Sequence, residues 1–404
     1  MERNKNAKMI ERMQCIKDTL DFKEPKKVPV KIQYTNWPYF YAGVTLKEVM
    51  HDPELNAKSY MKILDDIEFD LSLFGVNVIP VGVFQELKSN KYALANDDTA
   101  VTHSQGIEEF LGPEFYPDII KDPFLVQTET LLKTQIPIFR RPKEEAMKCL
   151  KASINPFLNN MIMQQIVMNR MDELGIVRLV DKNTFSAEAP FYFGPLSSIM
   201  DYFRGMQGAL TDLRRRPKEV KAACDAIMRQ SAEMGHFLTD VPKIKASFGD
   251  TLVPFGLNII NAECFLSPNN FKEYYLDYFK EYIGPYLEAG AKYYILGEGK
   301  LLPVLDQFKE LPRGSVFIQI DEDDPFEAYK KIKGHQTICA GISLSLLKYG
   351  TKQECIDYAK KCFDTFAPGG GFIFMHNKTL VSSKDINNEN LLAVYEFANE
   401  YGKK

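Results

Sequence analysis

The stretch that decides the fold is Tyr293-Tyr-Ile-Leu296, a short apolar run that gives way to Gly297-Glu-Gly299. The same order recurs through the last third of the chain: an apolar run, then polar residues, then a segment long enough for a helix. The other three runs are Val316–Ile320, Thr337–Ala340 and Gly371–Met375. Short buried strands that alternate with helices are typical of a parallel sheet. The repetition predicts an α/β fold, a (β/α)8 barrel of the TIM type.

Polar residues stand directly after these predicted strands. Glu298 follows the first of the four strands, Asp321 the second and His376 the last, and Cys339 lies within the third. In a parallel barrel the residues just past the strand ends line one common mouth, where catalysis takes place. We therefore expect these side chains to be neighbours although they are far apart in the sequence.

The composition is that of an ordinary globular protein. The chain has 404 residues, of which 45% are hydrophobic and 26% charged, which suffices for a large core. We find no convincing linker, so we expect residues 1–404 to form a single domain. A net charge of -4 gives no general electrostatic reason to bind nucleic acid or an anionic membrane.

Three features favour a cytoplasmic protein. No apolar run approaches the roughly eighteen residues of a transmembrane helix. The charged N-terminus is not followed by the apolar segment of a secretory signal. The seven cysteines are scattered and form no CxxC pair, which is typical of a reduced compartment.

Two segments are expected to elaborate the barrel. Residues 1 to about 20 have the apolar spacing of an amphipathic helix, which predicts an N-terminal helical extension. Residues from about 84 to 145 are rich in polar turns, Tyr and Pro. We interpret them as an insertion over the mouth, where such segments often form lids. His103 lies in this insertion and is a candidate substrate-binding residue.

Several motifs resemble the uroporphyrinogen decarboxylase superfamily, and the resemblance covers most of the chain. They are Tyr-Ala-Gly-Val-Thr-Leu-Lys-Glu at 41–48, Phe-Leu-Ser-Pro-Asn-Asn-Phe at 265–271, Gly-Gly-Gly-Phe-Ile-Phe at 369–374 and Asn-Glu-Asn-Leu at 388–391. Their order and spacing carry the resemblance more than any one of them does. It implies an (α/β)8 barrel, in agreement with the strand and helix pattern.

Residues 27–34 predict a strand near the start of the chain, and the segment after it separates the branches of this superfamily. The resemblance implies an arginine-bearing segment at this place in porphyrin decarboxylases, where guanidinium groups hold substrate carboxylates. Here residues 34–41 read Tyr-Thr-Asn-Trp-Pro-Tyr-Phe-Tyr, without arginine. An aromatic wall suits a small apolar or aryl substrate. Candidate substrate-binding residues are therefore Tyr34, Trp37, Tyr192 and Phe193, together with Asn261 and Glu263.

The chain is more similar to the corrinoid-dependent methyltransferases of O-demethylase systems. That resemblance implies transfer of a methyl group from a small methylated substrate, an aryl methyl ether, to the Co(I) corrinoid of a separate cobalamin-binding partner protein. Thiol-active relatives hold zinc with a His-x-Cys pair and a later Cys. Here the corresponding positions are Leu296 and Glu298, with Met375-His376 at the last strand, so both thiolates are missing.

The residues that replace the thiolates suggest the chemistry. Glu and His make a harder site than Cys, and an acid that polarises the ether oxygen assists methyl transfer. We hypothesise that Glu298 and His376, with Asp321 or Glu263, either bind a divalent metal such as Zn²⁺ or donate a proton to the leaving oxygen. Two alternatives stay open: a decarboxylase or lyase acting on a non-porphyrin substrate, and a non-catalytic barrel that binds a corrinoid protein.

Overall fold

The fold is described from a computed structural model of the chain. The description covers residues 7–73, 80–94, 101–103, 111–179, 189–382 and 384–403. It is a mixed α/β structure with parallel sheets and many helices. The part of the chain so described holds eleven strands and nineteen α-helices.

The strands form two parallel sheets and one antiparallel hairpin. The parallel sheets have the strand orders β1-β2-β5 and β11-β10-β9-β8-β7-β6, and β3 pairs with β4. The four runs that predicted the fold are strands β8 to β11, which confirms that part of the prediction. The strand bounds are β1 (Lys31–Ile32), β2 (Leu71–Ser72), β3 (Tyr92–Leu94), β4 (Val101–His103), β5 (Val177–Arg178), β6 (Tyr192–Phe193), β7 (Phe255–Ile260), β8 (Lys292–Gly297), β9 (Val316–Gln319), β10 (Thr337–Ala340) and β11 (Phe372–Phe374).

Helices fill most of the connections between these strands. Their bounds are α1 (Ala7–Leu20), α2 (Trp37–Tyr41), α3 (Leu46–Val49), α4 (Pro53–Asp66), α5 (Val81–Glu86), α6 (Tyr116–Lys121), α7 (Pro123–Leu125), α8 (Leu132–Gln135), α9 (Lys143–Glu173), α10 (Pro195–Ser198), α11 (Gly205–Arg215), α12 (Pro217–Glu233), α13 (Val241–Ser247), α14 (Pro268–Phe271), α15 (Asp277–Glu288), α16 (Pro325–Ile332), α17 (Leu344–Tyr349), α18 (Lys352–Phe366) and α19 (Asn388–Tyr401). Short 3₁₀ segments are Pro113–Phe115, Pro137–Arg140, Ala262–Phe265 and Leu305–Glu310, and π-helical segments are Val126–Leu131, Ile199–Arg204 and Lys272–Leu276. None of the helices in the described ranges is long and apolar enough to cross a membrane.

The two faces of the parallel strands bury different clusters. Alternate residues, such as Tyr294 and Leu296 of β8, enter one inner cluster to which β2, β5, β7, β9, β10 and β11 also contribute. The intervening residues, such as Tyr293 and Ile295, pack in an outer cluster with the helices. This is the period-2 alternation of strands buried on both faces. A parallel bridge between Val30 and Phe374 joins the edge of β1 to that of β11.

The described ranges hold nine strands in the two parallel sheets, three in one and six in the other, where the sequence pattern predicts eight. Strands β5 and β6 belong to different sheets and are separated in the chain by residues 179–191. Residues 180–188, between them, fall outside the described ranges.

The predicted N-terminal helix is confirmed as α1, and it covers the amino ends of the strands. Met9, Ile16 and Leu20 belong to the inner cluster, and the Gly371 N–H donates to the Thr19 carbonyl at 2.9 Å. A cavity of about 340 Å³ lies at this end, between α1, β5 and the segment before β7. The acidic residues predicted to be functional follow the strands and so lie at the opposite end.

The insertion predicted at 84–145 is more regular than its sequence suggests. Its described residues form the β3–β4 hairpin and a series of short helices that lead into the 31-residue helix α9. The apolar residues at 76–82 predict one further strand. It falls largely on residues 74–79, outside the described ranges, and α5 begins at Val81.

Candidate functional site

Glu298 occupies the loop that follows β8. Its backbone N–H donates to the Ile260 carbonyl at 2.8 Å, which ties this loop to the end of β7. By accessible area the residue is exposed, yet protein atoms surround its carboxyl group closely enough to remove much of its water. Loss of water around the carboxyl, followed by repulsion from Asp201 and Asp321, raises the pKa of Glu298 to about 7.

Asp321 follows β9 and is a second acid with an altered proton affinity. Its side chain is only 10% exposed, and Oδ1 is buried without a hydrogen-bond partner. Burial raises the pKa of Asp321 to about 6, although the ammonium group of Lys378, 3.8 Å from Oδ1, acts in the opposite direction. At pH 7 a carboxyl group with this pKa is mostly ionised, so Asp321 contributes negative charge beside Glu298.

Glu263 lies in the 3₁₀ turn after β7 and is buried. The Ser197 hydroxyl lies 2.8 Å from both of its carboxylate oxygens and 2.7 Å from Asn261 Oδ1. Burial raises the pKa of Glu263 to about 7 despite the hydrogen bond from Ser197. A Cβ at Gly194 would lie 2.6 Å from Glu263 Oε1, so only glycine at that position leaves room for the carboxylate.

Asp201 connects these acids and was not predicted from the sequence. It lies in the π-helical segment after α10, and its Oδ2 accepts a hydrogen bond from Asn261 Nδ2 at 3.1 Å. Its negative charge raises the pKa of both Glu298 and Glu263. The sequence did contain a sign of this residue. Ser197 and Asp201 come after β6 as Glu298 comes after β8, and polar residues that follow the strands of a parallel barrel line its mouth.

His376 does not have the role predicted for it. The ring is fully buried, Nε2 accepts the Gln33 N–H at 3.2 Å, and Nδ1 lies 2.6 Å from the Lys378 carbonyl, to which it donates. Burial and the charge of Lys31 lower the pKa of His376 to about 3. The imidazole is therefore neutral, with both nitrogens engaged by backbone, and offers neither a proton nor a free lone pair to a ligand.

A buried polar network surrounds this histidine inside the strands. The Lys31 ammonium group donates to Gln33 Oε1 at 2.6 Å and lies 4.5 Å from the centre of the Tyr294 ring. The Tyr294 hydroxyl donates to Gln319, and it lies 3.0 Å from Gln33 Oε1. Burial lowers the pKa of Lys31 to about 7. These contacts fix the strand ends beneath the acids and give His376 a structural role.

Three of the four predicted substrate-binding aromatics are buried in the outer cluster instead. Tyr34 is 5% exposed, Trp37 1% and Tyr192 0%. Trp37 stacks on Tyr41, and Tyr192 packs edge-on against Phe279. Because these rings point toward the helices, the structure does not support a role for them in lining the mouth.

Phe193 is the exception, and it begins an aromatic wall. It is partly exposed, stacks on Phe191 at 6.0 Å and meets Tyr202 edge-on at 5.9 Å. The Lys91 ammonium group lies 3.9 Å from the centre of the Tyr202 ring and 5.7 Å from that of Tyr92. The wall therefore runs from β6, across the segment that carries Asp201, to the inserted hairpin.

Lys91 brings a positive charge to this wall. Burial lowers the pKa of Lys91 to about 8, and the carboxylate of Asp201 acts against that shift. The backbone of His103 pairs with Tyr92 in the same hairpin, but the side chain of His103 lies outside what the structure describes.

The three residues predicted as metal ligands do not come together as a ligand set. Among the residues that the structure describes, no group of three or more His, Cys, Asp or Glu side chains is arranged to hold a metal ion. His376 is closed off by its backbone partners, and Glu263 is held by Ser197. Cys339 belongs to the inner cluster, where burial raises the pKa of its thiol to about 12.

Comparison with known proteins gives a likeness in fold. No protein-family model and no curated protein matches the chain. Among solved structures, a methyltransferase from Methanosarcina mazei superposes with a TM-score of 0.58 over 96% of this chain and 98% of that chain, at 12% sequence identity. The likeness extends over nearly the whole of both chains, so the two proteins share a fold.

Proposed function

We propose that this protein moves a methyl group from a small methylated substrate, an aryl methyl ether, to the Co(I) corrinoid of a cobalamin-binding partner protein. The observation that carries the proposal is Glu298, whose carboxyl group has its pKa raised to about 7 by loss of surrounding water and by the neighbouring acids Asp201 and Asp321, close to an aromatic wall. An acid that holds a proton near neutrality suits a reaction whose difficulty is a poor oxygen leaving group.

The proposed scaffold is a closed parallel barrel of the uroporphyrinogen decarboxylase type. Two observations support closure: the bridge from Val30 to Phe374, and the single inner cluster to which strands of both sheets contribute. The shared fold with a methyltransferase is consistent with this scaffold. In a closed barrel, Glu298 and Asp321 lie on one rim with Asp201, as their mutual effects on pKa require.

In the proposed reaction Glu298 is the general acid. The ether oxygen takes the proton of Glu298 as the bond between that oxygen and the methyl carbon breaks, so a neutral phenol leaves and Glu298 becomes a carboxylate. The corrinoid, when its carrier is bound, supplies the nucleophile that accepts the methyl group. Asp201 and Asp321 keep the proton on Glu298 beforehand, because a second negative charge beside theirs is unfavourable.

The aromatic wall would orient the substrate ring. Phe193 and Tyr202 present an edge-to-face pair beside Asp201, and an aryl ring fits such a surface by stacking. Lys91, which lies over Tyr202, would favour substrates with a phenolate or carboxylate group. Positioning of the methyl carbon in line with its acceptor is the main contribution that such a wall makes to the rate.

A zinc mechanism is not part of this proposal. The predicted ligands Glu298, His376 and Glu263 do not fit a zinc ion, because both His376 nitrogens already have backbone partners and Ser197 holds Glu263. No step is therefore assigned to a metal of this chain. The proposed partner would carry the corrinoid to Glu298. We expect the reaction to take place in the cytoplasm.

The test mixes the protein with a reduced corrinoid protein and a panel of methylated aromatics, and follows the spectral change from Co(I) to methylated corrinoid. We expect transfer from at least one ether, and a 10²- to 10⁴-fold loss of rate in Glu298→Gln, the range for removal of a general acid. Glu288→Gln is the matched control, since Glu288 is exposed at the end of α15, before β8 begins. We expect it to keep the wild-type rate.

Negative results point to the alternatives. No transfer from any ether, amine or thioether would favour a decarboxylase or lyase, which turns over without a corrinoid protein. Tight binding of the corrinoid protein with no turnover, unchanged in Glu298→Gln, would favour a non-catalytic binding barrel.

A further inference from the structure

The side-chain amide of Asn261 is fixed on its oxygen side. Its Oδ1 accepts the backbone N–H of Ala262 at 2.5 Å and the hydroxyl proton of Ser197 at 2.7 Å. A carbonyl oxygen has two lone pairs, and both are used here. If the amide were turned over, its NH2 group would face the Ala262 N–H, so these contacts determine which side carries the oxygen and which the nitrogen.

Ser197 can donate to Asn261 without competition only while Glu263 holds a proton. The fully buried Ser197 hydroxyl has one proton to donate, yet it also lies 2.8 Å from both carboxylate oxygens of Glu263. The oxygen of Asn261 can only accept, so Glu263 has to be the donor in its own contact with Ser197. The raised pKa of Glu263, about 7, favours that protonated form. When Glu263 is ionised, its carboxylate and Asn261 compete for the single Ser197 proton.

Asn261 connects this fixed oxygen to Asp201. Its Nδ2, on the other side of the amide, donates to Asp201 Oδ2 at 3.1 Å. Ser197 lies in α10 and Asp201 four residues later, in the π-helical segment that follows, so the two side chains are about one turn apart. Asn261, directly after β7, bridges that turn. The hydrogen bonds then run in one direction, from Glu263 through Ser197 and Asn261 to Asp201, an arrangement in which each bond strengthens the next.

The last group in this chain of hydrogen bonds is one that acts on Glu298. A hydrogen bond to a carboxylate favours its ionised form, and the negative charge of Asp201 raises the pKa of Glu298. Two other charged groups are near. Asp321 acts on Glu298 in the same direction, and the Lys91 ammonium group donates to the Asp201 carbonyl oxygen at 3.4 Å. Glu298 therefore keeps its proton better while Asp201 is held beside it as a carboxylate.

We propose that Asn261 is a positioning residue, which holds the Asp201 carboxylate beside Glu298 and is itself held by Ser197. This role rests on the proposed function, since its effect on catalysis passes through the proton of Glu298. It differs from the substrate contact that the sequence predicted for Asn261, because both lone pairs of the amide oxygen are occupied within the protein.

Replacement of Asn261 by leucine, which has a similar shape and no donor, tests the proposal. Infrared difference spectra, each protein minus its Glu298→Gln derivative, follow the carboxyl band of Glu298 through its titration without any need for turnover. We expect the midpoint to fall from about 7 by at least about half a pH unit, because Asp201 is no longer held as a carboxylate. Ser197→Ala should shift it the same way by less, since Asn261 keeps its bond from Ala262.

Methyl transfer gives a second measurement. A midpoint about half a pH unit lower leaves about threefold less protonated Glu298 at pH 8, so kcat there should fall about threefold with KM unchanged. Loss of a residue that bound substrate would raise KM instead. Asn387→Leu is the matched control, because Asn387 also accepts a backbone N–H at a helix start, that of Glu389 at 2.9 Å. We expect it to keep both the midpoint and the rate.

An Asn261→Leu variant whose Glu298 midpoint is unchanged or higher would overturn the proposal, and so would a raised KM with unchanged kcat. Failure of the proposed function would look different. Midpoints that shift as expected, without methyl transfer from any substrate, would support the hold of Asn261 on Asp201 and count against the proposed reaction.

Discussion

Replacement of Glu263 by glutamine should make the protein more stable at alkaline pH. Glu263 is 1% exposed and its hydrogen bonds from Ser197 do not compensate for the loss of water, so the buried carboxyl group holds its proton more tightly than in the unfolded chain. Glutamine keeps the shape and the hydrogen-bonding capacity of the protonated acid but has no proton to lose.

The magnitude follows from the pKa. A rise from the ordinary value of 4.5 to about 7 corresponds to roughly 3.5 kcal/mol, since each pH unit between the two values is worth about 1.4 kcal/mol. The sign is that of an acid with a raised pKa in the folded state. Below pH 4.5 Glu263 is protonated in both the folded and the unfolded chain and costs no stability. The destabilisation grows as pH rises above 4.5 and reaches its full size above about 7. Between pH 5 and 8 the wild type should therefore lose about 2.5 kcal/mol relative to Glu263→Gln.

Two assays read this effect. Urea unfolding of both proteins at pH 5 and 8 gives the change in relative stability. Infrared difference spectra, wild type minus Glu263→Gln, follow the carboxyl band of this one residue through its titration. Glu288→Gln, at an exposed position, should show no pH-dependent difference. A carboxyl band that titrates near 4.5, or a stability difference that is the same at both pH values, would refute the reasoning.

Three further outcomes are expected. The methyl-transfer rate of the wild type should fall as pH rises through about 7, the pKa of Glu298, because the acid then loses its proton. This inflection should be absent from the residual rate of Glu298→Gln. A wild-type rate that does not change with pH would argue against Glu298 as the general acid. His376→Gln should lose about 1–3 kcal/mol of stability at pH 7 but keep most of the activity. The loss should shrink as pH falls below 6.5, because histidine in the unfolded wild type is then protonated while the buried His376 of the folded protein stays neutral. Loss of activity with unchanged stability would contradict this. Gly194→Ala should displace the Glu263 carboxylate and cost about 1–3 kcal/mol in thermal unfolding, whereas Gly284→Ala, where no atom lies within 4 Å, should cost nothing.

Strands and caps were predictable because their signals are local. The apolar runs of β8 to β11 are short and bounded by polar residues, so they could be identified without knowledge of their neighbours. The capping box from Thr45 to Glu48 starts α3 as its sequence indicates. The insertion was harder, because its helices are only a few residues long and carry weak periodicity.

The candidate site was predictable only in part. The position of Glu298 and Asp321 past the strand ends follows from the βα pattern, and the structure places both where their charges interact. Asp201 was missed because it lies eight residues beyond the end of β6, within a helical segment, and not directly after the strand. Tyr34, Trp37 and Tyr192 were misjudged for a different reason. A bulky ring after a strand looks the same in the sequence whether it turns to the mouth or to the helices.

The order of apolar and polar residues along this chain was enough to determine the four parallel strands β8 to β11, the N-terminal helix and the acids Glu298 and Asp321 after the strands, since each depends on residues only a few positions apart. Which of those polar groups is available for chemistry was decided by contacts across the fold. His376 is held by Gln33, 343 positions away, and Glu263 is held by Ser197, 66 positions away. Burial and hydrogen bonding of this kind set proton affinity, and neither can be read from the order of residues, because it arises only when distant segments pack together.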